Sequence, residues 1–151
     1  MSSRETSITF PPGFTPLERI LLTANGNVQR ILSAYYNAKI VVKIIKNEKV
    51  STQAGVFDRE VDLLLQDKVC CKATSVVTIS NAKYQRMLVE ENIAIGQLFR
   101  YLNILPEYEL MNVERRENGA FWRRYTLKSP GIVCDILEDF PASVFELEPN
   151  S

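Results

Sequence analysis

An arginine and a glutamate are the residues in this sequence best suited to chemistry, because each falls on an otherwise apolar strand face. In "FWRRYTL", strand alternation groups Arg123 with Phe121, Tyr125 and Leu127. In "GIVCDILEDF" it groups Glu138 with Ile132, Cys134, Ile136 and Phe140. An inward arginine can bind an anion, and apolar surroundings disfavour the ionised form of a carboxyl group, as in general acids and bases. These two residues therefore predict a ligand pocket.

A structural ion pair is the alternative interpretation. The two strands are joined by the short segment "KSPG", so we expect them to pair and to bring Arg123 close to Glu138. Such a pair would close one end of a core without binding anything. A shift of one residue in strand register would also exchange Arg123 for Arg124.

Other candidate contacts lie on a strand and at a helix start. Lys72 and Thr74 share a strand face with Cys70 and Val76, which is either an ordinary polar surface or a ligand contact. A helix that begins at Asn27 would present free N–H groups to an anion.

The composition limits the chemistry. The chain has 151 residues, 18 basic and 18 acidic, and the basic ones are scattered, which argues against a nucleic-acid partner. It has no histidine, which excludes Ser-His-Asp and Cys-His nucleophiles and argues against a zinc or iron site. We expect no metal and no cofactor, so catalysis would depend on carboxylates, arginine, lysine and backbone amides.

The cysteines and the hydropathy pattern indicate a compartment. Cys70, Cys71 and Cys134 are odd in number and lack CxxC spacing, so we interpret them as reduced core residues. No apolar run approaches the length of a membrane span, and the N-terminus lacks a signal-peptide pattern. These features predict a cytoplasmic protein with no membrane partner.

The pattern of elements predicts an α+β fold with an antiparallel sheet. "TPLE" is a capping box that begins a helix, and "ANGN" predicts a break before a second helix, a single bent helix being the alternative. Two strands are predicted to meet at a turn at Asp67–Lys68. Two short helices follow, and Asn92 is the predicted cap of the second. A later hairpin is predicted to turn at Asn118–Gly119. We expect a flexible arm over 1–13, one domain over 14–145 and an acidic tail over 146–151.

The order and spacing of several strings resemble the chorismate pyruvate-lyase family, in particular its short archaeal and actinobacterial branch. The strings are "LERILLTANGNVQRIL", "IVVKIIK", "IAIGQLF", "RRYTL" and "ILEDFPASVF", and they span most of the chain. The resemblance implies an antiparallel sheet with helices packed on one side and an internal ligand cavity. This fold is also similar to the UTRA ligand-sensing domains of transcription regulators.

The resemblance also implies an activity, the conversion of chorismate to 4-hydroxybenzoate and pyruvate without a cofactor. Glu138 would contact the ring hydroxyl and assist proton transfer, the backbone near Asn27 or Val28 would contact the ligand, and Ile95 would make an apolar contact. Arg123 and Arg124 match the family's paired arginines.

One departure from the family pattern concerns the arginine that clamps the ring carboxylate from a central strand. We match that position to Thr74, with Lys72 or Arg123 as substitutes. Because of this departure, the alternative function is a non-catalytic binding module, that is, a sensor or carrier for a small aromatic or carboxylic acid. The sequence is also compatible with a homodimer.

Overall fold

The computed structural model describes residues 6–50, 52–91 and 95–149. Its elements in chain order are α1 (Pro16–Leu22), α2 (Val28–Tyr36), β1 (Ile40–Lys49), β2 (Val56–Leu65), β3 (Lys68–Ile79), α3 (Ala82–Val89), α4 (Ile95–Tyr101), β4 (Glu107–Arg115), β5 (Phe121–Ser129) and β6 (Ile132–Phe140). The predicted cap at Asn92 lies outside the described residues.

The six strands form one open sheet in the order β1-β2-β3-β6-β5-β4, and every neighbouring pair is antiparallel. The predicted α+β class with an antiparallel sheet is confirmed. β3 and β6 lie at the centre, although α3, α4, β4 and β5 separate them in the chain. Arg123 is directly opposite Glu138 in the β5–β6 register, as the short connection between these strands predicted.

The helices cover one face of the sheet. Buried residues of α1 and α2 pack with one group of strand residues, and those of α3 and α4 pack with a second group on the same face. The opposite face carries neighbouring charges of alternating sign along Asp62, Lys72 and Asp139. An antiparallel sheet tolerates one solvated face, so we call this the open face and the covered one the inner face.

The predicted break between the first two helices is confirmed, and the single bent helix is not observed. Thr15 and Glu18 form the capping box at the start of α1. Residues 23–27 then separate α1 from α2, with Gly26 at φ +71°. Asn27 is the N-cap of α2, but its side chain makes no capping hydrogen bond. The first turn of α2 therefore keeps N–H groups without a side-chain acceptor from its cap.

A β-bulge at Cys70 corrects the prediction that Cys70 shares a strand face with Lys72 and Thr74. Leu63 pairs with Cys71 and Leu64 with Val69, so Cys70 is the extra residue between them. Cys70 and Cys71 are consequently both buried, and Lys72 does not share a face with Cys70. The predicted turn at Asp67–Lys68 is also displaced by one residue, since Lys68 already belongs to β3 and Gln66 adopts φ +58°.

Parts of the predicted arm and tail pack on the domain. The ring of Phe10 lies 5.3 Å from that of Phe14 in an edge-to-face arrangement. In the tail, the backbone N–H of Leu147 donates to Tyr36 Oη at 2.9 Å.

None of the described helices has the length and apolarity required to cross a bilayer.

We expect Gly55→Ala to destabilise the protein far more than Gly13→Ala. Both glycines have positive φ, +76° and +98°, so each substitution costs about 1–2 kcal/mol from the backbone alone. A Cβ at Gly55 would also lie 2.5 Å from the carbonyl oxygen of Ile79, whereas a Cβ at Gly13 meets nothing within 4 Å. Thermal unfolding followed by circular dichroism measures the difference, and equal melting temperatures for the two variants would contradict this prediction.

Candidate functional site

A pocket of about 110 Å³ lies between the inner face of the sheet and the first turns of α2 and α4. Its floor on β3 consists of two small residues, Ala73 and Ser75, which leave space beneath the helices. An engineered apolar cavity of about 150 Å³ in another protein binds benzene, so this pocket has the scale of a single six-membered ring. We call it the inner pocket.

The inner pocket has mixed chemistry. Its apolar wall includes Val28, Val42, Val61, Leu63, Ala73, Ile95, Leu127 and Ile136. Its polar and charged lining consists of Asn27, Gln29, Arg30, Arg59, Ser75, Gln97, Arg100, Tyr125 and Glu138. Arginine predominates among the charged groups, and the N-terminus of α2 adds a partial positive charge. An anionic ring compound is complementary to this lining.

Arg59 is the residue that the sequence interpretation missed. It lies on β2, is only 3% exposed and lines the inner pocket. Burial lowers the pKa of its guanidinium, an effect that the nearby Cys134 thiol partly offsets. The signal was present in "VFDREVDLLL", where strand alternation groups Arg59 with the apolar residues Phe57, Val61, Leu63 and Leu65. The same reasoning that selected Arg123 would have found it.

Glu138 occupies another part of the same pocket and is 6% exposed. Its Oε1 accepts a hydrogen bond from Arg123 Nε at 2.6 Å, and its Oε2 accepts one from Tyr125 Oη at 3.1 Å. Burial, followed by the neighbouring charge of Glu138, raises the pKa of Tyr125 well above its usual range, so that this hydroxyl remains a donor. A carboxylate has about four lone-pair sites, so Glu138 retains capacity to accept from a ligand.

Arg59 and Glu138 face each other across β3. Arg59 pairs with Ser75, whereas Glu138 pairs with Ala73 from the other side of that strand. Two strand spacings and two residues of rise separate their Cα atoms, which amounts to about 12 Å. A ring held over Ala73 and Ser75 therefore lies between a cation and a carboxylate.

Arg123 points inward as predicted but does not line the inner pocket. It is 0% exposed, and its guanidinium lies 4.1 Å from the centre of the Tyr125 ring. Burial acts to lower the pKa of Arg123, but the charge on Glu138 opposes this effect and the pKa is raised overall. Arg123 and Glu138 thus form a buried ion pair, which is the structural alternative that the sequence left open. Glu138 lines the pocket, and Arg123 lies behind it.

The remaining predicted residues divide between the two faces of the sheet. Asn27, Val28 and Ile95 all line the inner pocket. Lys72, Thr74 and Arg124 lie on the open face, and the structure does not bring them to the pocket. Lys72 pairs with Asp62 at 3.4 Å. Arg124 makes two hydrogen bonds to Asp135, of 2.9 and 2.6 Å.

No metal centre or reactive thiol accompanies the pocket in the described part of the chain. Residues 6–50, 52–91 and 95–149 contain no group of three or more Cys, Asp or Glu side chains arranged to hold a metal ion. The three cysteines are free and buried, as predicted. Burial raises the pKa of the Cys70 thiol to about 11 and that of Cys134 to about 12, which leaves both protonated at neutral pH. Nucleophilic catalysis by thiolate is therefore disfavoured.

Comparison of the sequence with known protein families and with curated proteins gave no match.

Proposed function

We propose that this chain is a cofactor-free lyase that converts chorismate to 4-hydroxybenzoate and pyruvate. The observation that carries the proposal is the placement of Arg59 and Glu138 on either side of the small-residue floor of one ring-sized pocket. The resemblance in sequence requires a carboxylate-binding arginine on a central strand, and Thr74 had left that position without one. Arg59 is a buried arginine of the pocket on the neighbouring strand β2, and its presence there supports the proposal.

The binding roles follow from the chemistry of the lining. The guanidinium of Arg59 suits a ring carboxylate, because its planar donors match both oxygens and the surroundings are desolvated. Glu138 lies beyond the floor residues, where a hydroxyl on the opposite side of the ring would donate to it. The N–H groups at the start of α2, near Asn27 and Val28, suit the carboxylate of the enolpyruvyl group.

The reaction needs only positioning and one proton transfer. The ring carbon that bears the hydroxyl loses a proton, and the bond between the neighbouring ring carbon and the enolpyruvyl oxygen breaks. The electron pair of the broken C–H bond completes the aromatic ring, and the departing enolpyruvate takes up a proton to become pyruvate. Glu138 is the carboxylate placed to receive the ring proton, and the pocket holds the ring in one orientation.

A binding module, either a sensor or a carrier for a small aromatic acid, is the second candidate. It is favoured by the two hydrogen bonds that Arg123 and Tyr125 make to Glu138, because one acceptor site on each carboxylate oxygen is already occupied in the free protein. In this case the pocket would bind the product-like acid without turning over chorismate.

Incubation of the purified protein with chorismate tests the proposal. Absorbance measures 4-hydroxybenzoate, and a coupled assay measures pyruvate. Equimolar formation of both above the uncatalysed rate supports the lyase. Thermal stabilisation by 4-hydroxybenzoate without turnover supports the binding module instead. The absence of both turnover and stabilisation would refute both candidates.

We expect Arg59→Lys to weaken binding of 4-hydroxybenzoate by about 10- to 150-fold, since a hydrogen bond to a charged group contributes about 1.5–3 kcal/mol. Lysine keeps the charge but loses the planar pair of donors that matches a carboxylate. Isothermal titration calorimetry measures the change, and the melting temperature checks that the variant is folded.

Arg86→Lys is the matched control, because Arg86 lies in the last turn of α3 and is exposed. We expect it to bind like the wild type. An Arg59→Lys variant with wild-type affinity would show that Arg59 does not hold the carboxylate.

A further inference from the structure

We propose that Arg123 is a positioning residue. It fixes the position of the Glu138 carboxylate relative to the turn between α1 and α2. Glu138 and this turn are separate parts of the wall of the inner pocket. The consequence for catalysis rests on the proposed function, whereas the mechanical link itself does not.

On the β6 side, one charged hydrogen bond and one ring contact hold the guanidinium. Nε donates to Glu138 Oε1 at 2.6 Å. The cationic plane lies against the ring of Tyr125, whose hydroxyl donates to Glu138 Oε2. Each of the three side chains therefore contacts the other two, and the orientation of the carboxylate depends on all of them.

On the helix side, the same guanidinium binds the end of α1. Nη1 donates to the carbonyl oxygen of Leu22 at 3.1 Å and also to that of Ala24. A cation at these carbonyls is favourable, because the C-terminus of a helix carries a partial negative charge. The chain then continues directly into Gly26, Asn27 and Val28, which line the inner pocket.

The planar shape of arginine makes this double attachment feasible. Nε and Nη1 point in different directions, so one rigid group reaches a carboxylate and two carbonyls at once. Arg123 is fully buried, so water does not compete for these bonds. A lysine ammonium is a single point of attachment, and it would bind either the carboxylate or the carbonyls well. Displacement of Glu138 should therefore be transmitted through Arg123 to residues 24–28.

Amide hydrogen exchange in the ligand-free, full-length protein tests the link. We expect Glu138→Gln and Arg123→Lys each to accelerate exchange by at least tenfold at Ala24, Gly26 and Ile31, whose N–H groups donate to the carbonyls of Leu21, Ala24 and Asn27 at this turn. The control Arg124→Lys, on the open face, should leave these amides unchanged. Wild-type exchange at this turn in both Glu138→Gln and Arg123→Lys would overturn the proposal, as would equal acceleration in the control.

A kinetic measurement tests the consequence for catalysis. In Arg123→Lys we expect kcat to fall more than tenfold while KM changes less than threefold, because the Arg59 contact is intact and the misplaced carboxylate affects the chemical step. In Arg123→Ala, millimolar guanidinium should restore part of the activity, and ammonium at the same concentration should not. A variant in which KM rises with kcat unchanged would show that Arg123 acts in binding and not in positioning. If the wild type has no activity, the lyase proposal fails, while hydrogen exchange still decides whether the link exists.

Discussion

Replacement of Arg123 by methionine is expected to lower the free energy of unfolding by about 3–5 kcal/mol, because the loss of one partner of a buried ion pair leaves the other charge without compensation. Glu138 is 6% exposed and would remain in the interior without its cation. The carbonyls of Leu22 and Ala24 would also lose their donor. For a domain of this length the loss corresponds to a decrease of about 6–20 °C in melting temperature.

The neighbouring residue provides a matched control. Arg124 has the same side chain and also pairs with a carboxylate, that of Asp135, but 57% of its side-chain surface is exposed. Because exposed pairs contribute only about 0–1 kcal/mol, we expect Arg124→Met to change the melting temperature by less than about 4 °C. Chemical denaturation and calorimetry measure both variants. Equal losses at the two positions would mean that the Arg123–Glu138 pair does not behave as a buried one.

A double variant separates the cost of an unpaired charge from loss of packing. We expect Arg123→Met combined with Glu138→Leu to recover much of the stability lost in Arg123→Met, because replacing both members of a buried pair by apolar residues is often neutral. If the double variant were the less stable of the two, packing around Arg123 would account for the effect instead.

Glu138→Gln is expected to lower kcat for chorismate by about 10²–10⁴-fold, the usual contribution of a general acid or base. Glutamine has nearly the same shape and can accept one hydrogen bond from Arg123 or Tyr125, but it cannot take up a proton from the ring. The affinity for 4-hydroxybenzoate should fall much less, because Arg59 still binds the carboxylate. Single-turnover kinetics and calorimetry measure the two quantities separately.

Asp135→Asn is the corresponding control. Asp135 is on the same strand, and its hydrogen bond from Arg124 lowers its pKa, but it faces away from the inner pocket. We expect this variant to retain wild-type kcat. A Glu138→Gln enzyme with wild-type kcat would assign the proton transfer to another group.

Much of the local structure was predictable because it depends on residues close together in the chain. The capping box at Thr15 and Glu18 needs only a spacing of three residues, and "ANGN" needs only the tolerance of Asn and Gly for a helix end. The inward orientation of Arg123 and Glu138 follows from strand alternation. Their pairing follows from the short connection between β5 and β6.

The site was only partly predictable. Asn27, Val28, Ile95 and Glu138 came from the sequence and do line the inner pocket. Lys72 and Thr74 do not, because they lie with Val76 on the solvated open face, and the bulge takes only Cys70 away from that face. Arg59 was missed although the alternation in its strand indicated an inward arginine. Nothing local linked that residue to Glu138, which is far away in the chain.

The sequence by itself determined which residues form helices, strands and turns, and which charges face inward, since these properties depend on local periodicity. The tertiary structure alone decided that Arg59 and Glu138 share one pocket and that Arg123 lies behind it. Those relations depend on strand order, on a one-residue bulge and on the packing of α2 and α4 over Ala73 and Ser75. They arise from contacts between distant segments, whose register no local pattern specifies.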